Sequence, residues 1–356
     1  MNRAHFFLLF ILVCASHVCF AKQVGSNDSI VSYIESWLED TKGVGVSVSV
    51  GREGKLIWSQ GFGYADLEQQ VPIDPAKSLF RVGSVAKPIT AAAVGILYEQ
   101  GKLDLDAPIQ RYVPAFPEKE GEITARLLAG HLAGIRHYKG DEMLNAEHYP
   151  TVTQGLRIFK DDPLIHAPGS KYSYSSYGYN LLSAVVEGAS KRDFLEYMND
   201  HVFGPLNMNN THADHVFMIL SGRGRYYVIK NGNVFNASAV NNSYKWAGGG
   251  LLSTSEDLIT FGFAHLGTEF LKEETIQLLW ASQKTSAGKN TQYGIGWRIG
   301  KDDHGRPFIG HNGGSVGGKT VFRIYPEKKL VVAMISNLSN HNFKDIPDQQ
   351  VDFFWE

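Results

Sequence analysis

The stretch Phe80-Arg81-Val82-Gly83-Ser84-Val85-Ala86-Lys87-Pro88-Ile89-Thr90, continuing into Ala91-Ala92-Ala93-Val94-Gly95-Ile96-Leu97-Tyr98-Glu99-Gln100, decides how this chain is read. The apolar, alanine-rich run predicts a buried helix ending near Gly101, and Pro88 fits only its first turn. Ser84 and Lys87, three residues apart at the mouth of that helix, then share one face. A serine hydroxyl is a weak nucleophile until a base takes its proton, and a lysine with a desolvated ammonium can be that base. The same pair also describes a helix N-cap followed by a solvated lysine. Partners elsewhere in the chain must decide between the two.

Toward the amino terminus, a helix is expected over 30–38. Val44-Gly45-Val46-Ser47-Val48-Ser49-Val50 then alternates with period two and stops at Gly51, which is a strand signal. Arg52-Glu53-Gly54 reads as a turn, and 55–63 as the strand that pairs back. Toward the carboxyl terminus, helical runs at 123–132, 179–190 and 193–202 lie among proline-bearing loops. A helix over 256–266 precedes strands at 293–299, 307–311, 320–325 and 330–336, and 343–356 reads as a closing helix. Strands at both ends with helices between them predict a mixed α/β (α+β) fold. One antiparallel sheet flanked by helices forms from 22–103 plus 240–356, and 104–239 is a mostly helical inserted domain.

The chain has 356 residues, 43% hydrophobic and 20% charged, which is ample for a large core. Its formal net charge of -2, without long charged runs, leaves no electrostatic footprint for nucleic acid or an anionic membrane. Met1-Asn2-Arg3 is a short cationic start, the apolar run from Phe6 to Ala15 is too short to span a bilayer, and Val18-Cys19-Phe20-Ala21 offers a cleavage site. Residues 1–21 therefore read as a signal peptide for export to the periplasm or the extracellular space, with organelle targeting as the alternative. No membrane partner is expected after cleavage. Both cysteines, Cys14 and Cys19, fall inside that segment, so the mature chain is expected to hold no disulfide, thiolate metal site or cysteine nucleophile. Tripeptides of the N-glycosylation pattern begin at Asn27, Asn209, Asn236, Asn241 and Asn337, and matter only on a eukaryotic secretory route.

Two further stretches carry chemistry. Gly310-His311-Asn312-Gly313-Gly314-Ser315-Val316-Gly317-Gly318-Lys319-Thr320 matches both a phosphate loop and a nucleophile elbow. Each of those requires a helix next, whereas Val321-Phe322-Arg323-Ile324-Tyr325 reads as a strand. The stretch is better taken as a strand edge whose glycines let a substrate approach the backbone. Tyr172-Ser173-Tyr174-Ser175-Ser176-Tyr177-Gly178-Tyr179-Asn180 precedes a helix, and reads either as a capped aromatic loop or as a polar site. His137, His148, His166, His212 and His215 have no metal-ligand spacing, so no metal is expected.

Ser84-Val85-Ala86-Lys87, Tyr174-Ser175-Ser176 with Gly178-Tyr179, and His311-Asn312-Gly313-Gly314 occur in the order and spacing of serine β-lactamase-like proteins. The chain resembles the superfamily of class C β-lactamases, esterases and DD-peptidases, whose fold is the β-lactamase/transpeptidase-like one. The run from Asn242 to Thr254, with Tyr244-Lys245-Trp246-Ala247-Gly248-Gly249-Gly250, is most similar to its LACTB branch, and the likeness extends over about 44–336.

The resemblance implies that Ser84 is acylated, that Lys87 is the base and that Tyr174 is the second base. A phenol titrates near 10, so Tyr174 serves only as a phenolate favoured by nearby cations or as a proton relay to Lys87. The backbone N–H groups of Ser84 and Gly314 would form the oxyanion hole, with Ser176, Asn312 and Gly313 beside the substrate. His131 matches a helix end of the family and reads as structural.

Two positions depart from the penicillin-recognising pattern. Ser176 stands where those enzymes carry Asn, and His311-Asn312-Gly313 replaces Lys-Thr-Gly, exchanging a permanent cation for a group expected to titrate near neutral pH. The expectation is a cofactor-independent serine hydrolase, an esterase or peptidase acting on a small acyl ester, amide or peptide. A true β-lactamase or DD-peptidase is the alternative. A third reading is a self-assembling scaffold with the same fold, because fold and function separate readily.

Overall fold

The computed structural model describes residues 28–339, 341–343 and 346–355, so the proposed signal peptide at 1–21 lies outside the described residues. Helix α1 (Asp28–Asp40) turns Ile30, Ile34 and Trp37 inward at helical spacing. Strands β1 (Gly45–Arg52) and β2 (Lys55–Asp66) form the expected hairpin, with β3 (Val71–Pro72) beyond β2. After β4 (Phe80–Arg81), Gly83–Val85 makes one 3-10 turn that runs into helix α2 (Ala86–Glu99). Helices α3 (Ala125–Ala129), α4 (Val152–Gly155), α5 (Ser176–Ser190) and α6 (Phe194–Met198) follow.

The chain returns toward the sheet through β5 (His212–Ala213), the hairpin of β6 (Tyr227–Lys230) and β7 (Asn233–Asn236), helix α7 (Trp246–Gly249) and β8 (Leu251–Ser253). Helices α8 (Ser255–Ala264) and α9 (Glu273–Trp280) lead to β9 (Arg298–Lys301), β10 (Pro307–Ser315), β11 (Gly318–Tyr325) and β12 (Leu330–Ser336), with α10 (Ile346–Phe353) last.

The main sheet has the order β3-β2-β1-β12-β11-β10-β9 and is antiparallel, so strands from both ends of the chain meet at the β1–β12 pair. On one face, Val46, Val48 and Val50 pack with α1 and α10. The alternation in β1 suggests a half-solvated strand, yet its other face is buried too. Ser47 and Ser49 each bond Ser255 of α8 at 2.7 Å, so the hydroxyls satisfy one another beneath the helix.

One hydrophobic cluster joins α2, α5, α8 and the inner residues of β11 and β12, so the helices of 104–239 share a core with the sheet. That segment is less helical than its sequence suggests. The helix expected over 123–132 is confined to Ala125–Ala129, the one expected over 193–202 ends in a π turn at Asn199–Phe203, and β5 to β7 supply extended backbone. No helix among the described residues is long and apolar enough to cross a membrane.

Candidate active site

The Gly83–Val85 turn sets the nucleophile candidate. Gly83 has φ +52°, and a Cβ there would fall 2.7 Å from the backbone N and O of Gly314. A Cβ on Gly313 would fall 2.0 Å from the Val82 carbonyl oxygen. These two glycines let β10 lie directly against the turn that carries Ser84, and so bring Gly314 beside that turn. β10 continues antiparallel into β11, with Gly313 opposite Thr320, so a strand stands where both a phosphate loop and a nucleophile elbow require a helix.

Ser84 Oγ is held from two sides. The Tyr174 hydroxyl donates to it at 2.7 Å, and Lys87 Nζ lies 3.1 Å away. Lys87 Nζ also donates to the Gly248 carbonyl at 2.5 Å and lies 3.2 Å from Ser176 Oγ. Lys87 is fully buried in the first turn of α2, and burial, then the charges of Lys245 and Arg298, hold it well below the usual lysine value. A neutral Nζ beside Ser84 can accept the hydroxyl proton.

Tyr174 cannot act as a resting phenolate. Burial pushes its pKa well up, and the hydrogen bond with Ser84 and the Arg298 charge offset only part of that rise. Of the two expected modes, the arrangement fits the relay, in which the phenol gives up a proton only as it receives another.

The segment around Tyr174 is pinned by imidazoles. His131 Nδ1 accepts the Ser175 N–H at 3.2 Å and His137 Nδ1 accepts the Ser176 N–H at 3.1 Å, occupying amides that a helix start leaves unpaired. Ser175 caps α5 through the Gly178 N–H at 2.9 Å. His131 sits just past α3 with φ +59° and lays its ring 4.3 Å from that of Tyr174.

His311 departs from expectation. Its Nδ1 lies 2.6 Å from the Asn312 carbonyl, which can only accept, and its Nε2 lies 2.9 Å from the Tyr293 hydroxyl. Burial, then the charges of Lys87 and Arg298, push its pKa well below the imidazole range. His311 is therefore a neutral, hydrogen-bonded part of the wall, and neither titrates near neutrality nor replaces a strand cation.

The exposed cation at this place is Arg298 of β9, with its guanidinium carbon 5.8 Å from the Tyr174 ring centroid. No local motif marks Arg298, because β9 and β10 bring it to the site from outside the run of known motifs. Lys245 lies in the run that carries the family likeness, but no spacing there marks its part in the site. It is buried and makes no salt bridge among the described residues, and its ammonium rests 5.5 and 5.2 Å from the rings of Tyr138 and Tyr244. Asn312 and Gly314 are exposed, while Ser176 and Gly313 are buried. Among the described residues no group of three or more His, Cys, Asp and Glu side chains is placed to hold a metal ion.

A serine shared by a buried lysine and a tyrosine, under a glycine-bearing edge of an antiparallel sheet, is housed in a chain that belongs to the beta-lactamase family, whose model matches residues 30–353. The chain is thus a member of the serine β-lactamase-like superfamily of hydrolases, near its LACTB members. It is 33% identical to the human serine beta-lactamase-like protein LACTB, mitochondrial, over 87% of this chain and 73% of that one. It is 24% identical to penicillin-binding protein 4* of Bacillus subtilis (strain 168), over 82% of this chain and 67% of that protein. Among solved structures, the octameric penicillin-binding protein homologue from Pyrococcus abyssi superposes with a TM-score of 0.79 at 25% identity, covering 93% of this chain and 78% of that one.

Proposed function

We propose that this chain is a serine acyl hydrolase, an esterase or peptidase, that forms an acyl-enzyme at Ser84. The observation that carries the reading is the placement of Ser84 Oγ between a deprotonatable Lys87 at 3.1 Å and a protonated Tyr174 at 2.7 Å. Ser84 Oγ attacks the substrate carbonyl and its proton passes to Lys87. The oxyanion that forms is stabilised by the N–H groups of Ser84 and Gly314. Tyr174 gives its proton to the departing oxygen or nitrogen and regains one from Lys87. Water then enters through the same groups in reverse order, the Ser84 ester bond breaks, and the carboxylic acid leaves.

Ser176 in place of an amide and the neutral His311 both favour an ester or peptide substrate over a β-lactam. Arg298 at the open edge supplies a cation that suits a substrate with a carboxylate near its leaving group. The scaffold alternative draws on the octameric state named for the Pyrococcus abyssi homologue. It predicts that Ser84→Ala preserves the biological role.

Labelling with an alkyl fluorophosphonate followed by peptide mass spectrometry tests the reading. Modification is expected at Ser84 and absent in Ser84→Ala, with turnover falling roughly 10³-fold or more. Modification at a different serine would overturn it. A chromogenic cephalosporin assayed in parallel with short esters and D-amino-acid peptides separates the substrate classes.

A further inference from the structure

A cavity of about 470 Å³ opens beside the outer face of Gly314. A Cβ on Gly314 would meet nothing within 4 Å, so this part of β10 faces open space. Met143 and Leu144 line one wall, Val228 of β6 and Ala237 the other, and Val316 adds a further apolar side chain; Ser238, Ser315 and Ser339 also line it, and Lys230, the one charged lining residue, is exposed on the hairpin. Leu144 is 44% exposed, a large apolar side chain turned outward at a cleft. The volume falls in the range of small-molecule sites, about 300–1,000 Å³.

Both walls are fixed in advance. The Gly140–Leu144 turn is anchored at Glu142, whose carboxylate takes the Arg136 guanidinium at 2.7 and 2.9 Å, the Tyr177 hydroxyl at 2.9 Å and the Lys139 N–H at 2.7 Å. The opposite wall is tied to the end of β12 by the Tyr227 N–H donating to the Asn337 carbonyl at 2.9 Å and the Ser339 N–H donating to the Tyr227 carbonyl at 3.0 Å. Such a pocket loses little ordering entropy when filled.

The strand direction assigns its occupant. Tyr174, which serves the leaving group in the proposed reaction, lies toward His311 and Arg298, with ring and guanidinium at 6.2 and 5.8 Å. His311 precedes Gly314 on β10, whereas Ser315 and Val316 follow it, so the pocket lies on the opposite side of the oxyanion position from the leaving group. We infer that this pocket receives an uncharged aliphatic acyl chain, making the enzyme selective for medium-length acyl donors. The inference rests on the acyl-enzyme at Ser84. The step adds no reagent: the carbonyl–leaving-group bond breaks as the Ser84 Oγ–carbon bond forms, and water later cleaves the latter.

A p-nitrophenyl ester series from acetyl to decanoyl reads the inference directly. The wild-type kcat/KM is expected to rise roughly tenfold or more from acetyl to hexanoyl, since each buried methylene contributes about two- to fourfold. Val228→Trp, which fills the pocket, and Leu144→Gln, which wets it, should each reduce the hexanoyl-to-acetyl ratio by about fivefold or more. Both sites are only partly buried, and far-ultraviolet circular dichroism of each variant checks its fold. A flat wild-type series, or a ratio unchanged in both variants, overturns the inference. If a methyl fluorophosphonate modifies Ser84 while the chain-length series is flat, only the pocket assignment fails. If no reagent of the series modifies Ser84, the hydrolase reading fails and the pocket assignment with it.

Discussion

The turn that carries Lys87 and the turn that carries Lys245 each bury a lysine, and the two lysines meet different neighbours. Lys87 Nζ has the Gly248 carbonyl at 2.5 Å and two serine hydroxyls at 3.1 and 3.2 Å, whereas Lys245 Nζ faces the rings of Tyr138 and Tyr244. Burial lowers both; for Lys245 the Arg81 charge adds to it and the pKa falls to about 7. Depressed basicity alone therefore does not identify a base. What distinguishes Lys87 is a hydroxyl within reach of its lone pair, while Lys245 acts on the site through its charge, the largest electrostatic cause after burial that lowers Lys87.

The largest test of that contrast is Lys87→Met. Turnover is expected to fall roughly 10³-fold, as loss of a positioned base requires, while the fold becomes more stable. The sign follows from linkage: a lysine whose folded pKa lies below its unfolded value of 10.5 binds fewer protons when folded, so native stability rises with pH across that window. The burden on stability is full below the folded pKa and gone above the unfolded one. The melting temperature of Lys87→Met should therefore exceed wild type by roughly 2 °C or more at neutral pH, with the gain vanishing toward pH 10.5. A drop in both activity and melting temperature would break the comparison.

Tyr174→Phe comes next, with an expected loss of about 10²-fold on alkyl esters. The loss should be smaller on p-nitrophenyl esters, because p-nitrophenoxide leaves without a proton. Equal losses on both would place Tyr174 outside leaving-group protonation.

Lys245→Met sharpens the contrast most finely. Removing its charge should raise the Lys87 pKa, moving the acid limb of the kcat/KM profile to higher pH with roughly a threefold change or less at the optimum. In the same assay His311→Gln should leave that limb in place, since His311 stays neutral. A limb that disappears with His311 would restore its titrating role.

Much of the frame was legible locally. The apolar run after Pro88, the alternation of β1 and the strand signals in β11 and β12 each follow from spacing that burial enforces. Local caps shorten α3, Thr124 at its start and Gly130 with left-handed His131 at its end, whereas the serine face of β1 is buried by Ser255 of α8, a neighbour distant in sequence. His311 misled for the same reason. Its residue type carries a reference pKa, but desolvation and two distant cations set the actual one.

The sequence by itself placed Ser84 and Lys87 together as candidates, because a short local run presents both on one helix face, and its resemblance to serine β-lactamase-like proteins singled out Tyr174. It also determined the strands at 307–311 and 320–325, because the glycine-rich run between them leads into β-branched and aromatic residues rather than a helix. Only the tertiary structure decided that Tyr174 rests protonated, that His311 is neutral, that Arg298 supplies the exposed cation, and that an apolar pocket lies beyond Gly314. Each of those depends on distances between segments remote in the chain, and desolvation and Coulomb energies are properties of such distances rather than of residue order.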